Sequence, residues 1–367
     1  MNSIPIIYYH SVANHKIARP WSFLSCPIEI FTSQMKWLKK KGYYTCDWAE
    51  LRSHMMGDTK LPDRSIHIHF DDGFLDNWTV VYPLMKELQL KFTILVTPEF
   101  IERSNIKRQF VEDTTLDNEK EWWGYLSEGE IREMSDSGLV DFQAHGYTHT
   151  WYPSSDKVID IYDGSQVLPH LQWNEDINEK PFWLLSTKKL LKHGTPIFEN
   201  EKSLSNKSRF IPNKETIKKL SLSYNPELDR VDNVSAFNSL LADKNYTSGS
   251  YETSEDYTER IKRELLLTRE YIAKITGKEV KYIVYPGGGK LDSIDVLAKK
   301  YGYDQTSKGK ELNSYGCKSD KVLRFTGFHS FKIFSSPLNL ILLKLQILRG
   351  NGNSLVSFLF AILKKII

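Results

Sequence analysis

The chain has 367 residues, enough for one large domain or two ordinary ones with a sizeable core. Hydrophobic residues at 40% and charged residues at 26% match ordinary soluble proteins and exclude a disordered or fibrous class. The 49 Lys and Arg against 46 Asp and Glu leave a net charge of +3, so no nucleic acid is expected as a partner.

The opening MNSIPIIYYHSV lacks a basic segment followed by an unbroken apolar run, so no cleaved secretion signal is expected and a cytoplasmic location follows. Ile4 to Tyr9 reads as a first strand. Ile28, Phe31, Met35 and Leu38 recur on one helical face that Gly42 ends. Ser65 to Phe70 is a second strand, with Asp71 and Asp72 at its C-terminal end, and Phe92 to Thr97 is a third. A helix from Ser127 to Ser137, stopped by Gly138, leads into a strand from Leu139 to Ala144 that delivers His145. Strands alternating with helices predict a parallel α/β architecture, with polar residues on the loops after the strands.

Between Thr150 and Glu252 this rhythm breaks. The stretch is rich in Asn, Ser, Lys and scattered aromatics such as Trp151, Trp173 and Trp183, and reads as an insertion or cap folded on the main domain. A long helix from about Ser254 then carries Ile261, Leu265, Ile272 and Ile275 to a stop at Gly277. A strand over Val280 to Tyr285 opens into Pro286 and Gly287, and Ser293 is expected to cap the next helix. From Lys321 to Ile367 there are seven Lys or Arg and no acid, with two strongly apolar segments. Each is shorter than the roughly 20 residues a membrane span needs. They read either as helices lying in a membrane interface or as core or dimer helices. Cys26, Cys46 and Cys317 are too few and too scattered for a disulfide framework or a metal knuckle.

Hydrolytic Zn²⁺ sites take three N or O ligands and keep a fourth position for water. Asp72, His145 and His149 offer such a set, since histidines four apart reach one ion from a helix face or a tight loop. Asp71 is then left as a base, because neighbouring side chains of an extended segment point opposite ways. Asp-Asp-Gly alone is an ordinary turn, and a lone HxxxH is usually incidental. Their order, each after an expected strand, favours a metal site. His67 and His69 alternate with Ile66, Ile68 and Phe70 and are not counted as ligands.

FDDG followed by HGYTH resembles the first two motifs of the polysaccharide deacetylases, carbohydrate esterase family 4, also called the NodB-homology domain. The resemblance implies a distorted (β/α)7-type barrel over residues 1–149 and 253–330, with 150–252 inserted and 331–367 a basic apolar tail. It implies Asp71 as general base and Asp72, His145 and His149 as ligands of a divalent metal, with zinc expected. The N-terminal IIYYHSV resembles the permuted branch of the family, which implies His10 as general acid; a structural histidine or a substrate contact is the alternative. Phe328-His329 is a weaker candidate for that acid. The third motif departs from the family: YIVYPGGG has Val284 where an arginine usually holds the catalytic aspartate, so that support is expected from elsewhere. Tyr285, Pro286 and Gly287 are expected as an oxyanion or substrate loop, with a plain glycine turn as the alternative.

The implied activity is metal-dependent removal of an N-acetyl or other N-acyl group from an amino sugar of a surface polysaccharide or its precursor. A lipid-linked sugar at the inner face of the membrane, with peripheral contact through 331–367, is the extended form of this expectation. An idle carbohydrate-binding protein on the same fold, or a deformylase of a lipid-linked sugar, is the alternative.

Overall fold

The computed structural model describes residues 3–14, 22–111, 123–166, 168–185, 191–243, 247–288, 292–328 and 336–366. Its centre is a parallel sheet of β1 (Ile6–Tyr9), β2 (Tyr44–Cys46), β3 (Ser65–Phe70), β4 (Phe92–Val96), β5 (Val140–Ala144), β6 (Tyr282–Ile283), β7 (Gln305–Ser307), β8 (Lys321–Val322) and β9 (Arg324–Thr326). The order runs β8-β7-β6-β5-β4-β3-β1-β9, and β2 pairs with the start of β3. The two end strands are successive pieces of one run with Leu323 between them, so a single segment borders both β7 and β1 and the sheet nearly closes into a barrel. Counting that run once gives the seven-strand circuit expected of a (β/α)7-type barrel.

Strand alternation sorts side chains onto two faces. Ile7, Tyr9, Ile66, Ile68 and Phe70 pack outward in the main core with Ile30, Phe31, Met35 and Leu38 of the helix Ile28–Lys40. Ile4, Ile6, Leu95, Tyr282, Val284 and Val322 form a second cluster with Trp48, whose ring stacks on Tyr282 at 3.8 Å. His67 and His69 occupy the positions of β3 that alternate with the outward set, and both are fully buried. His67 Nδ1 lies 2.9 Å from the Cys46 carbonyl oxygen. Burial holds the imidazole of His67 down to about 4 and that of His69 well below the usual histidine range.

Local signals set most helix ends. Ser127 caps Glu128–Asp136 in a reciprocal capping box with Glu130, as expected of a Ser-x-x-Glu start. The long helix begins at Ser254, capped by Thr253, and stops at Gly277 in the left-handed conformation; it contains a π-helical segment, Arg263–Leu267. Two expectations change. The strand after Gly277 is only Tyr282–Ile283, because the chain turns into a 3-10 segment at Pro286. The following helix starts at Asp292, so Ser293 lies inside it rather than capping it. Within 151–251 an antiparallel ribbon pairs Trp151–Tyr162 with Thr195–Lys202. Helices Lys214–Leu222 and Arg230–Leu241 accompany it around a separate cluster that includes Val158, Phe198 and Phe237. His329 lies outside the described residues.

Candidate metal centre and active site

Parallel register brings the first candidates together. Tyr9 pairs with Phe70, and the Asp71 N–H donates to the Tyr9 carbonyl at 2.9 Å, so His10 and Asp71 leave adjacent strand ends side by side. His10 Nε2 is 3.7 Å from Asp71 Oδ2. The backbone beyond His10 is anchored: Asn77 Nδ2 donates to the His10 carbonyl at 3.0 Å, and the Val12 N–H donates to buried Asp76 at 3.0 Å. Asp72 then adopts φ +76, a left-handed conformation that aspartate tolerates better than most residues. That turn sends the two carboxylates in different directions.

Asp72 Oδ1 lies 3.2 Å from His145 Nε2 and 3.2 Å from His149 Nε2. The three residues are buried, and their candidate ligand atoms all fall within 4.8 Å of one another. His145 Nδ1 donates to the Val284 carbonyl at 2.8 Å, so the hydrogen on that nitrogen leaves Nε2 facing the cluster. The position where the family resemblance reserves an arginine thus serves through its backbone oxygen. Burial raises Asp72, but His149 and His145 outweigh it and hold the carboxyl well below the usual range. Two imidazole nitrogens and one ionised carboxylate oxygen, converging in a buried pocket, fit a divalent metal ion of zinc-like preference.

The histidines sit on a tight loop whose intervening backbone is held from two sides. The Tyr147 and Thr148 N–H groups donate to Glu264 Oε2 at 2.8 and 3.2 Å, and the Thr148 hydroxyl bonds to Glu264 Oε1. Glu264 belongs to the π-helical segment. From the other side, the fully buried Lys180 ammonium donates to the Thr148 carbonyl and, at 2.9 Å, to Glu99. Gly146 has φ +73, and a Cβ there would come within 3.1 Å of both Glu264 Oε2 and Pro286 Cγ, so glycine is required at this approach.

The arginine absent from the third motif enters from the closing strand. Arg324 Nη1 lies 2.9 and 2.8 Å from the two oxygens of Asp71 and 3.1 Å from His69 Nε2, and its guanidinium packs 4.4 Å from the Tyr8 ring. Burial alone raises Asp71, but Arg324 first, then His145, His10 and His69, bring it down to about 2. Burial lowers the His10 imidazole, against the pull of Asp71 and Asp72. Asp71, Asp72, His145, His149, His10, Arg324, Tyr8, Phe23, Leu24, Trp151, Tyr285 and Gly287 line one cleft of about 400 Å³. Within the expected loop, proline has no N–H and the Tyr285 N–H is 3.4 Å from Ser307 Oγ, which leaves Gly287 as the donor. Lys202, paired with Trp151 across the ribbon, donates to the Gly287 carbonyl. Seven of the eight expected site residues, all but Pro286, line this cleft, and the sequence reading did not include Arg324, Glu264 or Lys180.

A model of the family described as "Polysaccharide deacetylase" matches residues 58–181 and 244–306, together just over half of the chain. The chain belongs to the polysaccharide deacetylase family. It is 27% identical over 146 residues to a Bacillus subtilis (strain 168) protein named for this family, covering 40% of this chain and 43% of that one. It is 25% identical over 150 residues, 41% of this chain and 21% of the other, to the poly-β-1,6-N-acetyl-D-glucosamine N-deacetylase of Escherichia coli (strain K12). The matched stretches therefore span less than half of those relatives' length. Among solved structures, a de-N-acetylase from Aggregatibacter actinomycetemcomitans shares the fold with TM-score 0.55 at 17% identity, over 92% of this chain and 99% of that one. The family match is interrupted between residues 181 and 244, inside the stretch that carries the ribbon.

Proposed function

We propose that this polysaccharide deacetylase family chain is a metal-dependent hydrolase that removes an N-acetyl or related N-acyl group from an amino sugar of a surface polysaccharide or its precursor. The observation that carries the reading is the buried convergence of Asp72, His145 and His149 with a separate ionised carboxylate, Asp71, beside it. A carbohydrate-binding protein has no need of both a ligand set and an independently held base.

In this reading Asp72, His145 and His149 would hold a divalent cation, with zinc expected, and such an ion would supply Lewis-acid polarisation of an amide carbonyl and a lowered pKa for water. Asp71 takes the proton from the attacking water; Arg324 keeps it ionised and fixes its two oxygens. The Gly287 N–H faces the developing oxyanion. His10, whose Nε2 lies 3.7 Å from Asp71 in the same cleft, delivers a proton to the leaving nitrogen, because an unprotonated amine leaves poorly. Trp151 and Phe23 at the cleft wall offer aromatic faces to a pyranose ring. Residues 150–252 act as a cap, with Lys180 tying it to the ligand loop. A substrate presented at the inner face of a membrane, including a lipid-linked sugar, is the finer form of the same proposal.

The test is metal analysis of the purified chain together with release of the acyl group and free amine from N-acetyl and N-formyl amino sugars. Stoichiometric metal with release supports the hydrolase; absence of both across the panel returns the chain to the binding class.

A further inference from the structure

We infer that the two C-terminal helices form a docking surface for an anionic lipid bilayer; its first turns lie at the cleft end of the barrel, and Gly350 packs on Pro5 at the other end. That this surface presents substrate to the site rests on the hydrolase reading above; the docking itself does not.

The helix Ser336–Gly350 has one face committed to the barrel. Leu342, Leu343, Gln346 and Ile347 are buried, Lys344 lies 5.2 Å from the Trp37 ring, and Arg349 lies 5.0 Å from the Phe325 ring. Its other face carries exposed Leu338, Ile341 and Leu348, three and seven residues apart, which places them on one stripe. The helix Ser354–Ile366 adds Leu355 and Phe358, 66% and 64% exposed, and Leu359, at the i, i+3, i+4 spacing of a single face. Single exposed apolar residues are ordinary, but two consecutive helices each presenting a stripe are not.

Charge selects the occupant. All 46 acids of the chain precede Lys321, so residues 1–320 carry a net charge of −4, while the two helices carry Lys344, Arg349, Lys364 and Lys365 and no acid, a charge of +4. A second copy offering the same positive face would repel it, whereas phosphate headgroups attract it. Neither helix is long enough to cross a bilayer, and among the described residues no helix is long and apolar enough to do so. Cationic helices with one apolar face lie in the interface.

Position ties the surface to the site. Gln34 Nε2 donates both to the Gly327 carbonyl at 2.9 Å and to the Asn339 carbonyl at 3.2 Å. Gly327 follows the C-terminal end of β9, the end at which the catalytic groups gather, so the first turns of the helix carrying Leu338 lie at that end of the barrel. A second lobe of about 260 Å³, lined by Tyr8, His10, Phe23, Leu24, Cys26, Thr326 and Phe328, shares its first, second, third and fourth residues with the catalytic cleft and extends it along β9.

The experiment is flotation of the full chain with vesicles of phosphatidylcholine alone and of phosphatidylcholine mixed with phosphatidylglycerol, at low and high salt, alongside the variant Leu355→Glu/Phe358→Glu. Both positions are solvent-facing, so the fold should survive. The expected result is binding to the anionic vesicles only, weakened by salt, and a drop of about tenfold or more in the variant, with hydrolysis of a soluble N-acyl amino sugar unchanged. Equal flotation of the two proteins, no flotation with anionic vesicles, or a dimer that the same substitutions dissociate would each overturn the docking proposal. No hydrolysis by the parent, with flotation as expected, would instead strike the hydrolase reading alone.

Discussion

Arg324 and Asp71, 253 residues apart, form a buried pair in which a single guanidinium nitrogen lies within 2.9 Å of both carboxylate oxygens. The pair joins the strand that closes the barrel to the strand that carries the proposed base. Removing one partner leaves a buried charge without compensation, so the relationship serves both the chemistry and the integrity of the closure.

Arg324→Met should therefore act on the base rather than on the metal ligands. Without the guanidinium, burial dominates and the Asp71 carboxyl rises. Because the base works only when ionised, the acid limb of kcat/KM moves to higher pH, by about one unit or more, and the maximum falls at least tenfold. Metal content at neutral pH should match the parent. A pH profile superimposable on the parent would show that Arg324 does not support Asp71.

Glu264 and Lys180 both hold the loop between the two histidines without being ligands themselves, so their effect should be read in metal affinity. Glu264→Gln or Lys180→Met is expected to weaken zinc binding by roughly 10–100-fold, the range found when groups that orient ligands are lost. Asp72→Ala should cost more. Competition with a chromophoric chelator measures this independently of turnover; unchanged affinity in both variants would mean that the loop keeps its shape unaided.

His10→Gln should keep metal and fold but lower kcat on N-acyl substrates by about 10²-fold or more. A substrate whose leaving group needs no protonation, such as an activated ester of the same acyl group, should lose far less. Equal losses on amide and ester would assign His10 a structural or substrate-binding part.

Asp141, at the opposite end of the barrel from the cleft, is pushed up to about 6, chiefly by burial, with the Gln143 amide as its close partner. Its folded value lies above its ordinary 3.8, so its favourable contribution is complete below about pH 4 and is lost as pH rises through about 6. Asp141→Asn removes the penalty of ionisation. Thermal unfolding should show the variant about 2 °C or more above the parent at about pH 8 and no higher at about pH 4. A pH-independent difference would exclude Asp141 as the titrating group.

The sequence was most legible where ligand chemistry is local. Asp71 and Asp72 are adjacent, and His145 and His149 share one loop, each directly after an apolar strand, so spacing alone suggested a joint site. Arg324 was invisible to that reasoning because its role arises from closure: the register of β9 against β1 brings it beside β3, and nothing near Val284 points there. A charged residue between apolar Leu323 and Phe325, in a strand that must border the barrel interior, was the available signal. Glu264 and Lys180 were hidden for a related reason, since each reaches the loop from an element far away in the chain. The length of the strand at Tyr282 was overestimated because apolar residues continue to Tyr285, although beyond Ile283 only the Val284 N–H still donates to the neighbouring strand, at the Ala144 carbonyl, before the chain turns at Pro286.

The central claim is that Asp71 acts as a base beside a metal held by Asp72, His145 and His149. It is tested most directly by acyl-group release from N-acetyl amino sugars by the parent and Asp71→Asn proteins, loaded with equal, measured amounts of zinc. The account predicts turnover by the parent and a loss of about 10²–10⁴-fold in the variant at the same metal occupancy. Equal turnover by the two, or no release by the zinc-loaded parent on any N-acyl amino sugar, would contradict it.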